Sequence, residues 1–125
     1  MKQLVLEVLA DQYAVCQLAN WSDAPPPPTG DQLFSLTRTG DEISLVCATD
    51  YAPPALVVEE GWRALMVQGP LDFSLVGILA KLSSALAEAQ ISVFALSTFD
   101  TDVLLVKQTD LMAARLALGT VAKII

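Results

Sequence analysis

The sequence predicts a mixed α+β fold, and three observations lead there. The first half of the chain is a series of short apolar runs rich in Val and Leu, separated by turn residues. Leu75, Ile78, Leu79, Leu82 and Leu86 then recur three or four residues apart, the stripe of an amphipathic helix. Strand-like and helix-like segments alternate from there to the end. With 54% of its 125 residues apolar, the chain can bury one ordinary core or two small subdomains that share one.

In chain order, QLVLEVLA and YAVCQLA read as two strands of a hairpin around Asp11 and Gln12. NWSDAPPPPTGD is a surface loop, because four consecutive prolines donate no ladder hydrogen bonds and favour an extended polyproline segment. A proline-recognition ligand is the functional alternative there, and a rigid spacer suits so short a connection. LFSLTRT and EISLVCA form a second hairpin across Gly40 and Asp41. In DYAPPALVVEEG the prolines and the pair Glu59 and Glu60 mark a junction, which makes residues 1–60 one subdomain and 61–125 another.

The second half has a cleaner order. WRALMVQG is a strand from Trp62, opened by Gly61. GPLDFS is a loop, and LVGILAKLSSALAEA is a helix with Asp72 or Ser74 able to cap it. ISVFALS and VLLVKQ are antiparallel strands joined by the turn STFDTD. Thr109 caps a second helix, DLMAARLALG, which stops at Gly119 before a last strand, TVAKII. Strand, helix, strand, strand, helix, strand is the ferredoxin-like βαββαβ order, two helices on one face of a four-stranded antiparallel sheet.

Composition removes several function classes. Seven basic against fourteen acidic residues give a net charge of −7 with no basic cluster, so nucleic acid is not an expected partner. No apolar stretch reaches the ~18 residues of a spanning helix, so no membrane partner is expected either. MKQLVLEVLADQ is interrupted by Glu7 and Asp11 too early for a secretory signal, and a cytoplasmic location is the default. The chain contains no histidine, which removes Ser-His-Asp and Cys-His catalysis and makes an enzyme an unfavoured reading. Cys16 and Cys47 sit in apolar runs without nearby histidine, the pattern of buried structural thiols. No metal site and no cofactor are expected.

The polar stretch is SVFALSTFDTD, residues 92–102. Amides at the expected helix start, from Gly69 to Leu75, are donors with the positive end of the helix dipole behind them, a receptor for a carboxylate. Asp102, with Asp72 or Asp100, can balance an ammonium group, Thr98 can bond either end, and Phe99 can pack on a ligand side chain. Read alone, Asp100 and Asp102 are turn residues that bond their own backbone, Ser92 and Thr98 can satisfy local groups, and Ile78, Val93 and Phe99 can be packing residues.

The segment GWRALMVQGPLDFSLVGILAKLSSALAEAQISVFALSTFDTDVLLVKQTDL, and above all GPLDFSLVGI combined with ISVFALSTFDTD, resembles the C-terminal unit of small prokaryotic proteins with paired ACT domains. Those proteins are similar in turn to the eukaryotic cytosolic arginine sensors of the TOR pathway. Through LFSLTRTGDEISLVC the resemblance spans nearly the whole chain. It implies two ACT units, the first strand-rich and degenerate, in a regulatory protein that binds an amino acid at an ACT-ACT interface and, at this length, forms a homodimer. It also implies a pocket of Asp72, Leu75, Ile78, Thr98, Phe99 and Asp102 from one subunit with Ser92 and Val93 from its neighbour. The sensors carry glutamate at the position of Leu75 and glycine at that of Asp72, which leaves arginine as one candidate ligand among several. A structural or adaptor dimer with an empty seam is the competing reading.

Overall fold

Residues 3–71 and 76–125 are described in a computed structural model of the chain. Strand β1 (Val5–Leu18) is followed by a 3-10 turn (Trp21–Asp23), β2 (Phe34–Arg38), β3 (Ile43–Ala48), a second 3-10 turn (Thr49–Tyr51) and β4 (Val57–Val67). Then come α1 (Ile78–Glu88), β5 (Phe94–Ser97), β6 (Asp102–Lys107), a third 3-10 turn (Gln108–Asp110), α2 (Leu111–Leu118) and β7 (Lys123–Ile124). The mixed α+β class is as the residue patterns predict. Two compact units divide the chain, one of Asp11–Trp62 and the other of Met1–Ala10 together with Arg63–Ile125. The long strands β1 and β4 each contribute to both.

The expected hairpin at Asp11 and Gln12 is instead one unbroken strand of 14 residues. Asp-Gln lacks the glycine that the favoured two-residue hairpin turns carry, and both ends of β1 find partners elsewhere in the chain. Val5 and Leu6 pair in parallel with Lys123 and Ile124, while Tyr13 to Leu18 pair antiparallel with Ala48 to Ile43. Asp11 and Gln12 are exposed and need no turn to stay wet. Similarly, β4 begins at Val57 and runs through Glu59, Glu60 and Gly61 rather than opening at Trp62.

In the Asp11–Trp62 unit the strand order is β2-β3-β1-β4. Its elements run strand, 3-10 turn, strand, strand, 3-10 turn, strand, so single turns stand where a regular βαββαβ unit carries helices. The β2–β3 hairpin forms as expected, with Phe34 opposite Cys47 and Arg38 opposite Ile43. The Thr39 hydroxyl closes its turn by accepting the amides of Asp41 and Glu42. Ala14, Cys16, Leu18, Leu45 and Cys47 make the core. The proline segment is fastened rather than free, since the Tyr51 hydroxyl donates to the Pro26 carbonyl at 2.5 Å. Tyr51 also meets Phe34 edge to face, with centroids 6.3 Å apart. Both thiols are buried, and burial pushes Cys47 up to about 11.

The other unit has the strand neighbours β7, β1, β4, β6, β5. A four-stranded antiparallel sheet was expected, but β1 inserts between the first and last strands of the βαββαβ order, and β7 pairs with it in parallel. Leu82 and Leu86 of α1, Ala114 and Leu118 of α2, and Leu6, Leu65, Val67, Leu104 and Val106 of the strands form its core. Arg63 ties three elements of this unit together, donating to the Leu9 carbonyl at 3.1 Å and to Gln108 at 3.0 Å.

Helix α1 starts at Ile78, three residues later than the apolar stripe implies, with Gly77 as its N-cap at φ 84°. That left-handed backbone suits glycine because it has no Cβ to clash. The proposed caps Asp72 and Ser74 lie outside the described residues. At the other end, the Gln90 amide bonds to the Ala87 carbonyl and the Ile91 amide to the Leu86 carbonyl, a Schellman closure with Gln90 at φ 60°. The closure turns Ile91 into the core and leaves β5 to begin only at Phe94. Thr109 does not cap α2 but lies inside the preceding 3-10 turn, where Asp110 takes the cap position without a side-chain bond. Among the described residues, no helix is long and apolar enough to cross a membrane.

Candidate functional site

A pocket of about 330 Å³ opens in the Arg63–Ile125 part of the chain, between the start of α1 and the turn that joins β5 to β6. One wall is Leu71, Gly77, Ile78, Leu79 and Ala80; the other is the run from Ser97 to Asp102. The first helical bond of α1 runs from the Lys81 amide to the Gly77 carbonyl at 2.9 Å. The amides of Ile78, Leu79 and Ala80 therefore have no acceptor within the helix, and the positive end of the helix dipole stands behind them.

The β5–β6 turn is built by its own hydroxyls. Ser97 and Asp102 are opposite in register, and the Ser97 hydroxyl donates to the Asp102 carboxylate at 2.6 Å. The Thr98 amide donates to the Thr101 carbonyl at 2.8 Å, and the Thr98 hydroxyl both donates to that carbonyl and accepts the Thr101 amide. The Thr101 hydroxyl in turn donates to the Val67 carbonyl of β4. Under the turn, the Asp100 carbonyl accepts the Leu71 amide at 2.7 Å. This contact is close enough that a Cβ on Gly69 would lie 2.7 Å from the same carbonyl oxygen, so only glycine fits there. The wall is held at both its ends and presents Phe99, 77% exposed, at the tip.

Of the residues expected to form the site, Ile78, Thr98, Phe99 and Asp102 are brought together around this pocket. Asp72 and Leu75 lie outside the described residues. Ser92 is exposed and Val93 packs against the core of its own unit; neither lines the pocket of the same chain, to which the sequence reading did not assign them. Thr98 has a different part from the one expected, since its hydroxyl is already engaged inside the turn. Ser97 was missed, although a turn of four residues between Ser97 and Asp102 places the two side by side on neighbouring strands, and hairpin register is the signal that finds it. Leu71, Leu79 and Ala80 carried no signal beyond the apolar pattern.

A second, wider groove of about 720 Å³ lies along α2, bounded by Met112, Leu116 and Ile124. Among the described residues Arg115 is its one charged lining residue, and Met112 and Leu116 are largely exposed. The first pocket sets a carboxylate opposite the start of a helix, which makes it the better candidate for recognising a small zwitterionic molecule.

The ACT domain family model matches residues 57–120, and a second model, for an N-terminal domain, matches residues 11–55. No curated protein matches the chain. Among solved structures, a protein from Agrobacterium tumefaciens is similar over 100% of this chain and 94% of its own, at 32% identity and a TM-score of 0.83. A Vibrio cholerae protein of unknown function, described as a possible transport protein, is 21% identical over 97% of this chain and 91% of its own, with a TM-score of 0.72. The ligand-free regulatory subunit of aspartate kinase from Thermus thermophilus shares the fold, with a TM-score of 0.64 at 11% identity, over 96% of this chain and 97% of that one. With the family match spanning half of its length and the βαββαβ order carried by β4 to β7, the chain belongs to the ACT domain family.

Proposed function

We propose that the chain is a regulatory protein that binds an amino acid in the pocket between α1 and the β5–β6 turn, at a seam between two copies. The observation that carries this reading is the juxtaposition itself. Unpaired helix amides able to take a carboxylate face a carboxylate able to take an ammonium group, across a cavity of about 330 Å³. Asp102 is the ammonium partner, its carboxylate oriented by the Ser97 hydroxyl. Ile78 and Phe99 flank the ligand side chain. The family resemblance assigns Asp72 and Leu75 to the same site, and Ser92 and Val93 of a second copy to its closure. The mechanism is binding without covalent chemistry, with the ligand favouring one arrangement of the copies over another. The downstream protein partner is left open.

One observation favours the competing reading of a structural or adaptor dimer that binds nothing. The hydroxyls of Ser97, Thr98 and Thr101 all have partners within the chain, so the turn needs no ligand to satisfy them. A thermal-shift and calorimetric screen of the twenty amino acids separates the two, because a ligand that binds only the folded state raises its stability as RT ln(1 + [L]/Kd). At least one amino acid is expected to raise the melting temperature at millimolar concentration. Asp102→Ala is expected to remove that response and leave the unliganded melt in place. No response from any amino acid would favour the adaptor reading. Sedimentation at low protein concentration tests the seam, and a monomer that still bound ligand would contradict it.

A further inference from the structure

We infer that the pocket sorts its ligands by charge: it takes amino acids whose side chain carries no negative charge and rejects the dicarboxylic ones. The inference rests on the pocket being the ligand site proposed above. The charged residues among its described lining are Asp100 and Asp102, both acidic, and no lysine or arginine lines it. Among the described residues, one set of helix amides, at Ile78, Leu79 and Ala80, is available to an anion, enough for one carboxylate. With the Asp102 carboxylate, oriented by the Ser97 hydroxyl, meeting the ligand ammonium, the α-carboxylate and α-ammonium of the ligand are then both spoken for. A second ligand carboxylate would find Leu71, Ile78 and Leu79, which solvate no charge, or Asp100, which repels it. The field of the whole chain, at −7, acts in the same direction.

The turn makes this selection rigid. The paired bonds between Thr98 and Thr101, and the bond from the Leu71 amide to the Asp100 carbonyl, fix Asp100 in the wall, so its backbone cannot swing away to admit an anion. Asp100 is on this basis a specificity-determining residue. Its part is repulsion of the wrong ligand rather than attraction of the right one.

Glutamine and glutamate make the test, since they are nearly the same shape and differ by one charge. Each is titrated into the full chain by calorimetry at low and at high salt. Glutamine is expected to bind about tenfold or more tightly than glutamate, with the gap narrowing as salt rises. Asp100→Asn, at an exposed position in the turn, is expected to close most of the gap by raising affinity for glutamate more than affinity for glutamine. Circular dichroism of the variant confirms that the fold is intact. Glutamate binding as tightly as glutamine overturns the charge selection while the pocket reading survives. A gap that Asp100→Asn does not reduce overturns the assignment to Asp100. Absence of any response from all twenty amino acids overturns the pocket reading, and the selection with it.

Discussion

Between β1 and β2, and again between β3 and β4, the Asp11–Trp62 unit has one 3-10 turn, whereas the other unit carries α1 and α2 at the corresponding points of the same order. The cores follow suit. The helical unit buries Leu65, Leu82, Leu86, Leu104 and Leu118, while the strand-rich unit is centred on Ala14, Cys16, Leu18, Leu45 and Cys47. In the helical unit the leucines of the strands meet the leucine stripe of α1, a pairing that needs a helix to supply the second layer. The comparison also explains where ligand chemistry can arise. A helix of eleven residues brings unpaired amides and a dipole to its start, and a single 3-10 turn brings neither on that scale. The pocket lies in the helical unit.

The largest effect that bears on this contrast is expected from Leu104→Ala. Leu104 is fully buried, and truncation should cost about 2–5 kcal/mol in urea unfolding, against about 1 kcal/mol for Cys47→Ala in the smaller core. Equal losses would mean that the two cores are not unequal in the way their residues suggest. Gly69→Ala comes next, at about 1–3 kcal/mol, because the added Cβ would meet the Asp100 carbonyl at 2.7 Å. It should lower the melting temperature and blunt any amino-acid response together, whereas a change at Cys47 should leave the response alone.

Alkaline pH probes the strand-rich unit by itself. Cys47 has its folded pKa raised from 9.0 to about 11, chiefly by burial, with the neighbouring Cys16 adding to it. A thiol with a raised folded pKa contributes stability that is fully present below the unfolded value and is lost as pH rises through the folded one. Unfolding free energy should therefore fall between about pH 9 and 11, and Cys47→Ala should flatten the fall. An unchanged slope in the variant would trace it to other groups. The smallest effect expected is a gain. Gln90→Gly relieves a side chain held at φ 60° in the cap of α1, and should stabilise the helical unit by less than about 1 kcal/mol, read as a small rise in the urea midpoint.

Much of the helical unit was legible in the sequence because its signals are local. Leu82 and Leu86 announce the buried face of α1, Gly119 announces the end of α2, and the four turn residues from Thr98 to Thr101, three of them polar, announce a hairpin whose register sets Ser97 beside Asp102. The pocket was partly legible for the same reason: Ile78, Thr98, Phe99 and Asp102 line one cavity, but the helix start was placed too early and the engagement of the Thr98 hydroxyl within its own turn was missed. The absence of histidine was decisive at once, since no fold can supply a side chain that the chain lacks.

What the sequence determined, then, was each element whose cause lies within about a dozen neighbouring residues, together with the chemistry available to any site. The tertiary structure alone decided the course of β1. Nothing near Asp11 and Gln12 states that the strand continues, because its continuity depends on Ala48 to Ile43 at one end and on Lys123 and Ile124 at the other. A strand of alternating apolar residues shows which of its faces is buried and not which strand lies beside it. Val5 and Lys123 are 118 positions apart, and a pairing over that distance is chosen only when the intervening elements have packed and left one sheet edge open.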